Sequence, residues 1–163
     1  MDFSIDAALQ ADHDRLRAFV RDEIVPLEAD RKNYDSYGNI DMAVLQTLRA
    51  KVKAAGLWAP QIPREQGGLG YGPTGMAVLY EAMNYSIFGP VAFNCAAPDD
   101  GNMYILNKVA TQAQKDRWLT PIINGDVRSS FAMTEPAPGG GSDPSMIQTT
   151  AKRFTVGLSV VFG

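Results

Sequence analysis

Arg128-Ser129-Ser130-Phe131-Ala132-Met133-Thr134-Glu135-Pro136-Ala137-Pro138-Gly139-Gly140-Gly141-Ser142-Asp143-Pro144 is the stretch on which the reading of this chain turns. Ser129 to Thr134 reads as a short strand, followed by a Gly/Pro loop. A Thr-rich segment from Ile147 to Ala151 reads as a second strand. A strand that runs out into a glycine-rich turn presents backbone N–H groups to a ligand. Glycines let the backbone approach closely, and successive N–H groups can cradle an anion. Thr134 and Ser142 place hydroxyls at the two ends of the turn. Taken alone, a glycine-rich loop after a strand is most often only a loop. No Gly-Lys-Ser/Thr follows, so it is not a Walker phosphate loop, and no helix is signalled after it, so it is not a dinucleotide-binding fingerprint.

Upstream of this stretch the pattern is helical. Leu9, Leu16, Phe19, Val20 and Ile24 recur at near-helical spacing with charges between them, and Pro26 breaks or kinks that helix. A shorter helical piece is expected from Leu27 to about Tyr34. Asp41 reads as the N-cap of the next helix, with Ile40 and Leu45 as a hydrophobic staple. Met42, Leu45, Leu48 and Val52 form its buried stripe, and Gly56 is the left-handed stop. An irregular loop, Trp58 to Gly70, follows. Thr74 is expected to cap a helix whose inner face is Met76, Leu79, Tyr80 and Met83. Another helix, from Asp99 or Asp100, carries Met103, Leu106 and Val109. Thr111-Gln112-Ala113-Gln114 is a capping-box pattern. It opens a last helix with Trp118, Leu119 and Ile122 that ends near Asn124-Gly125. The expected domains are residues 1–125, helical, and 126–153, the start of a β domain, with an atypical apolar tail at 154–163.

Composition narrows the function classes. The chain has 163 residues, 45% hydrophobic and 20% charged, with a net charge of -3. That is a globular balance with no basic footprint for nucleic acid or an anionic membrane. Cys95 is the only cysteine and His13 the only histidine, so neither an internal disulfide nor a Cys/His zinc site can form. No stretch is long and apolar enough for a membrane span, and the acidic N-terminus is unlike a signal peptide. A cytoplasmic location is the default expectation. An organellar matrix location, with a targeting segment removed, stays open.

The order of motifs is informative beyond their chemistry. Phe131-Ala132-Met133-Thr134-Glu135-Pro136 followed by Gly141-Ser142-Asp143 resembles the flavin and substrate signature of the acyl-CoA dehydrogenase family. Gly67-Gly68-Leu69-Gly70 resembles that family's loop after the second main helix. Gln114-Lys115, Trp118-Leu119, Pro121, Gly125 and Arg128-Ser129 resemble its run into the strand. Pro98-Asp99-Asp100-Gly101-Asn102-Met103 is similar to a subgroup with long-chain or unusual acyl substrates. The resemblance covers about residues 5 to 152. It implies a mainly α chain: the N-terminal helical bundle of an acyl-CoA dehydrogenase-like fold, followed by a short β-strand segment. It also implies FAD as cofactor and an acyl-CoA substrate oxidised to the enoyl-CoA. In the intact family the partners are electron-transfer flavoprotein and further copies in a homo-oligomer.

Carried over by position, Phe131, Met133 and Thr134 contact the isoalloxazine ring. The N–H groups of Met133 and Thr134 would stabilise charge on the reduced ring, and the Thr134 hydroxyl would donate to the hydride-accepting nitrogen. Ser142 would bind substrate near the pantetheine or phosphate portion. The spacer Ala137-Pro138-Gly139-Gly140 is longer than the commonest family form, which loosens that one assignment. The general base is implied to be a glutamate of a C-terminal helical domain, so no catalytic residue is assigned here. After Arg153 the sequence departs from the family pattern. The expectation is therefore a truncation or frame shift there, with an association-prone tail and an inactive fragment. The alternatives are an acyl-CoA oxidase or nitroalkane oxidase relative, and a non-catalytic helical interaction module. Among single residues, His13 reads as solvated on a polar face, Cys95 as a buried thiol, and Glu135 as a structural partner rather than a base. The apolar run Phe88 to Ala97 reads as core or as the lining of an acyl pocket.

Overall fold

The computed structural model describes residues 4–141, 143–150 and 152. The chain forms two compact units that divide between Ser129 and Ser130. Among the described residues of the first unit, β structure is limited to one isolated antiparallel bridge, Tyr34 to Ile40.

Helix α1 (Ala7–Phe19) starts on Asp6, whose carboxylate accepts the Leu9 N–H at 2.9 Å. Its buried stripe is Leu9, His13 and Leu16, continued by Val20 and Ile24 through a π-helical turn, Val20–Ile24. Pro26 cannot donate to an α-helical ladder. The chain therefore tightens into two 3-10 turns, Val25–Ala29 and Arg31–Asn33, where the sequence suggested a further helix. His13 corrects the solvated reading: it is only 7% exposed, and its Nε2 lies 3.4 Å from Glu81 Oε2. Its positions four after Leu9 and three before Leu16 put it on the apolar stripe. The acidic and basic neighbours in sequence belong to other faces.

Helix α2 (Met42–Ala54) is capped by Asp41, which accepts the N–H groups of Ala43 at 2.9 Å and Val44 at 3.3 Å. Ile40 and Leu45 are both buried at the staple positions. Gly56 takes the left-handed conformation with φ 67° and closes the helix. In the loop that follows, Gly68 is packed so tightly that a Cβ there would lie 2.1 Å from the Ile62 carbonyl oxygen. Helix α3 (Pro73–Met83) begins on Gly72 with Pro73 at its first position, and Thr74 makes no cap. Proline suits that position because its missing N–H would be unpaired there anyway. Met76, Leu79, Ala82 and Met83 are buried, and α3 packs on α1.

A short α4 (Gly89–Ala92) leads to α5 (Asp99–Val109) and then α6 (Gln112–Gln114), which carries the expected capping box on Thr111. A π-helical turn, Lys115–Leu119, joins α6 to α7 (Thr120–Asn124), which stops at Gly125 with φ 75°. Met42, assigned to a buried stripe, lies out in solvent at 52% exposure, as do Val109 at 73% and Trp118 at 53%. Met42 is the first residue of its helix and Val109 the last. Periodicity fixes the direction of a side chain, not how far the covering element extends.

The centre of this unit is polar as well as apolar. The Arg49 guanidinium is buried and donates to the carbonyls of Val91, at 3.2 and 3.3 Å, and Gly125, at 3.1 Å. Asn94 donates to the Ile122 carbonyl at 3.0 Å, and the Trp58 indole donates to the Ile123 carbonyl at 2.9 Å. One guanidinium, one indole and one side-chain amide thus donate to carbonyls around the C-terminal ends of α4 and α7, where the helical ladder runs out.

In the second unit the expected strands are not formed among the described residues. Neither Ser129–Thr134 nor the described part of Ile147–Ala151 enters a ladder, and the one regular element is a 3-10 turn, Pro144–Met146. A β-prone sequence becomes a strand only when another backbone pairs with it. Ser142 and the tail 154–163 lie outside the described residues.

Candidate functional site

The candidate segment starts from a buried carboxylate. Asp99, the first residue of α5, is 2% exposed. Its Oδ1 accepts both the Ser129 N–H and the Ser129 hydroxyl at 2.7 Å, and its Oδ2 accepts the Arg128 Nε–H at 2.9 Å. The Ser129 hydroxyl also accepts an N–H of the Asn102 side chain at 2.9 Å. Burial pushes the Asp99 carboxyl up, but the donors of Ser129 and the Arg128 guanidinium outweigh it, and the net shift is downward.

Beyond this point Phe131 is 64% exposed, Met133 half-buried and Thr134 exposed. Among the described residues nothing accepts the N–H of Met133 or Thr134. The glycine-rich turn is closed by Glu135. Its N–H donates to the Gly140 carbonyl at 2.9 Å, and its carboxylate accepts N–H groups from Gly140 at 3.1 Å and Thr149 at 3.0 Å. The Gln148 N–H and the Thr149 hydroxyl donate to the same carboxylate. The Gln148 N–H, then the Thr149 hydroxyl and further amides, hold the Glu135 carboxyl down to about 2. A Cβ at Gly139 would lie 2.1 Å from Glu135 Oε1, so this glycine is needed for close approach. The anion gathered by the turn is the chain's own carboxylate, and Glu135 is a structural partner with no free valence for a general base.

The run Phe88 to Ala97 divides between two environments. Phe88, Val91, Ala96 and Ala97 line an open cavity of about 470 Å³ together with Met42 and Arg128. Phe93 and Cys95 point into the core. Burial pushes the Cys95 thiol up, opposite to what a nucleophile needs. Among the described residues no group of three or more His, Cys, Asp or Glu side chains is placed to hold a metal, and no helix is long and apolar enough to cross a membrane.

The residues available for a flavin are the open amides of Met133 and Thr134, the Thr134 hydroxyl and the exposed Phe131 ring. That donor set fits the polar edge and apolar face of an isoalloxazine. The Asp99–Ser129 anchor was not legible in sequence, because its partners are separated by 30 residues and carry no local signal.

Residues 7–126 match the family "Acyl-CoA dehydrogenase, N-terminal domain". The chain is similar to "Probable acyl-CoA dehydrogenase FadE2" of Mycobacterium tuberculosis, 38% identical over 94% of this chain and 38% of the relative. It is also similar to acyl-CoA dehydrogenase family member 10 of Mus musculus, 36% identical over 86% of this chain and 14% of the relative. A solved structure, "Structure of a putative acyl-CoA dehydrogenase from Mycobacterium abscessus", superposes with a TM-score of 0.77 at 36% identity, covering 91% of this chain and 39% of that one. With its helical first unit and this match, the chain belongs to the acyl-CoA dehydrogenase family. It spans between 14% and 38% of the length of the two curated relatives.

Proposed function

We propose that this chain supplies the helical N-terminal domain (residues 1–125) and the flavin-edge segment of an oxidoreductase that converts an acyl-CoA thioester to its α,β-enoyl-CoA. The observation that carries the reading is the open backbone of Met133 and Thr134 beside an exposed Phe131. Bound FAD would accept the hydride released from the substrate. Met133 and Thr134 would hold the ring edge with two backbone N–H donors, the Thr134 hydroxyl would donate a third hydrogen bond, and Phe131 would pack against the ring. Ser142 contributes a hydroxyl toward the pantetheine or phosphate part of the substrate. Residues 126–153 are read as the start of the β domain, whose strands need partner backbones to form.

The proton next to the thioester needs a carboxylate base with a free oxygen. Glu135 is engaged by four donors, so the base comes from outside this segment. The same reading gives the intact protein electron-transfer flavoprotein as redox partner and a homo-oligomeric state.

Equilibrium dialysis against FAD, paired with a dye-coupled acyl-CoA assay, tests the proposal. The 163-residue chain is expected to bind FAD saturably but weakly, with Kd of about 1 mM, and to give no turnover. Absence of any saturable binding would favour a helical interaction module. Turnover by the chain alone would refute the assignment of the base.

A further inference from the structure

We infer that Asp99 is a positioning residue that sets the backbone of the flavin-edge segment. This rests on the reading of Phe131, Met133 and Thr134 as flavin contacts. A carboxylate that is 2% exposed needs donors, and three of them come from the adjacent residues Arg128 and Ser129. They fix more than a side chain. The Ser129 N–H and its hydroxyl both point at Oδ1, and the same hydroxyl accepts an Asn102 N–H, so backbone and rotamer are held together.

Ser129 lies in a stretch, from Asp126 to Thr134, with no helix or ladder among the described residues. Further along, the Glu135 carboxylate closes the turn through Gly140, Gln148 and Thr149. Met133 and Thr134 follow Ser129 by four and five residues, so the hold on Ser129 sets where their segment begins. Fixing the start of the segment before a ligand arrives lowers the ordering cost at binding. The charge of Asp99 is used for geometry: it faces Arg128 and Ser129.

Asp99→Ala, Asp99→Asn and Ser129→Ala variants of the 163-residue chain test this. Heteronuclear ¹H–¹⁵N NOEs at Phe131, Met133 and Thr134 are read against those of the core residues Leu79 and Met83. Asp99→Ala is expected to lower the NOEs of the segment only, and to weaken FAD binding about tenfold. Asp99→Asn keeps one acceptor for Ser129 and should recover part of both. Unchanged NOEs in the segment, or losses spread equally over the core, would overturn the proposal. If Asp99→Ala does not fold, Asp99→Asn and Ser129→Ala decide the same comparison. Should the parent chain show no saturable FAD binding, the flavin reading fails while the NOE comparison still judges the anchor.

Discussion

Arg49 and Glu135 show opposite uses of a charged side chain. Arg49 is buried, and it donates to the carbonyls of Val91 and Gly125 while its guanidinium lies 5.6 Å from the Trp58 ring. Arg49→Ala removes the donors and leaves a cavity, and is expected to cost roughly 3 kcal/mol in a urea melt. A loss below about 0.5 kcal/mol would mean that water replaces the guanidinium. Glu135 is exposed to solvent on one side, and its value lies in the amides it gathers. Its carboxyl is lowered from 4.5 to about 2, so the turn is fully held above pH 4.5 and is released as pH falls through about 2. The Gln148 and Thr149 amide shifts should therefore titrate in that window, and Glu135→Gln should abolish the titration. His13 carries a lesson in reading single residues. Its burial follows from its place between Leu9 and Leu16, yet its contact with Glu81 comes from a helix 68 residues away along the chain.

Helices were legible where their signals are local. The Asp41 cap, the Ile40–Leu45 staple, the Thr111–Gln114 capping box and the glycine stops at Gly56 and Gly125 involve residues a few positions apart. Each stands as the sequence suggests. Asp41→Ala should cost about 1 kcal/mol in thermal or chemical unfolding, whereas Thr74→Ala, which removes no cap, should be close to neutral. Equal effects of the two would reverse the assignment of the helix starts. Features set by distant partners were not legible. Met42 and Val109, at the ends of their helices, are exposed, and the strand-like Ser129–Thr134 enters no ladder among the described residues. The π-helical turns at Val20–Ile24 and Lys115–Leu119 leave no mark that spacing alone would reveal.

At the scale of the whole molecule, the helical unit is an ordinary packed core, and the residues proposed for the flavin lie in the second unit. The order of motifs along the chain resembles the family that the match over residues 7–126 shows. In chain order, the buried Asp99 holds Ser129, the amides of Met133 and Thr134 have no acceptor among the described residues, and the Glu135 carboxylate gathers its own turn. The direct test is an amide-resolved NMR titration of the 163-residue chain with FAD. Saturable shifts centred on Phe131, Met133 and Thr134, with the α1–α3 core unmoved, are the expected result. Shifts confined to other surfaces, or none at millimolar FAD, would contradict the account.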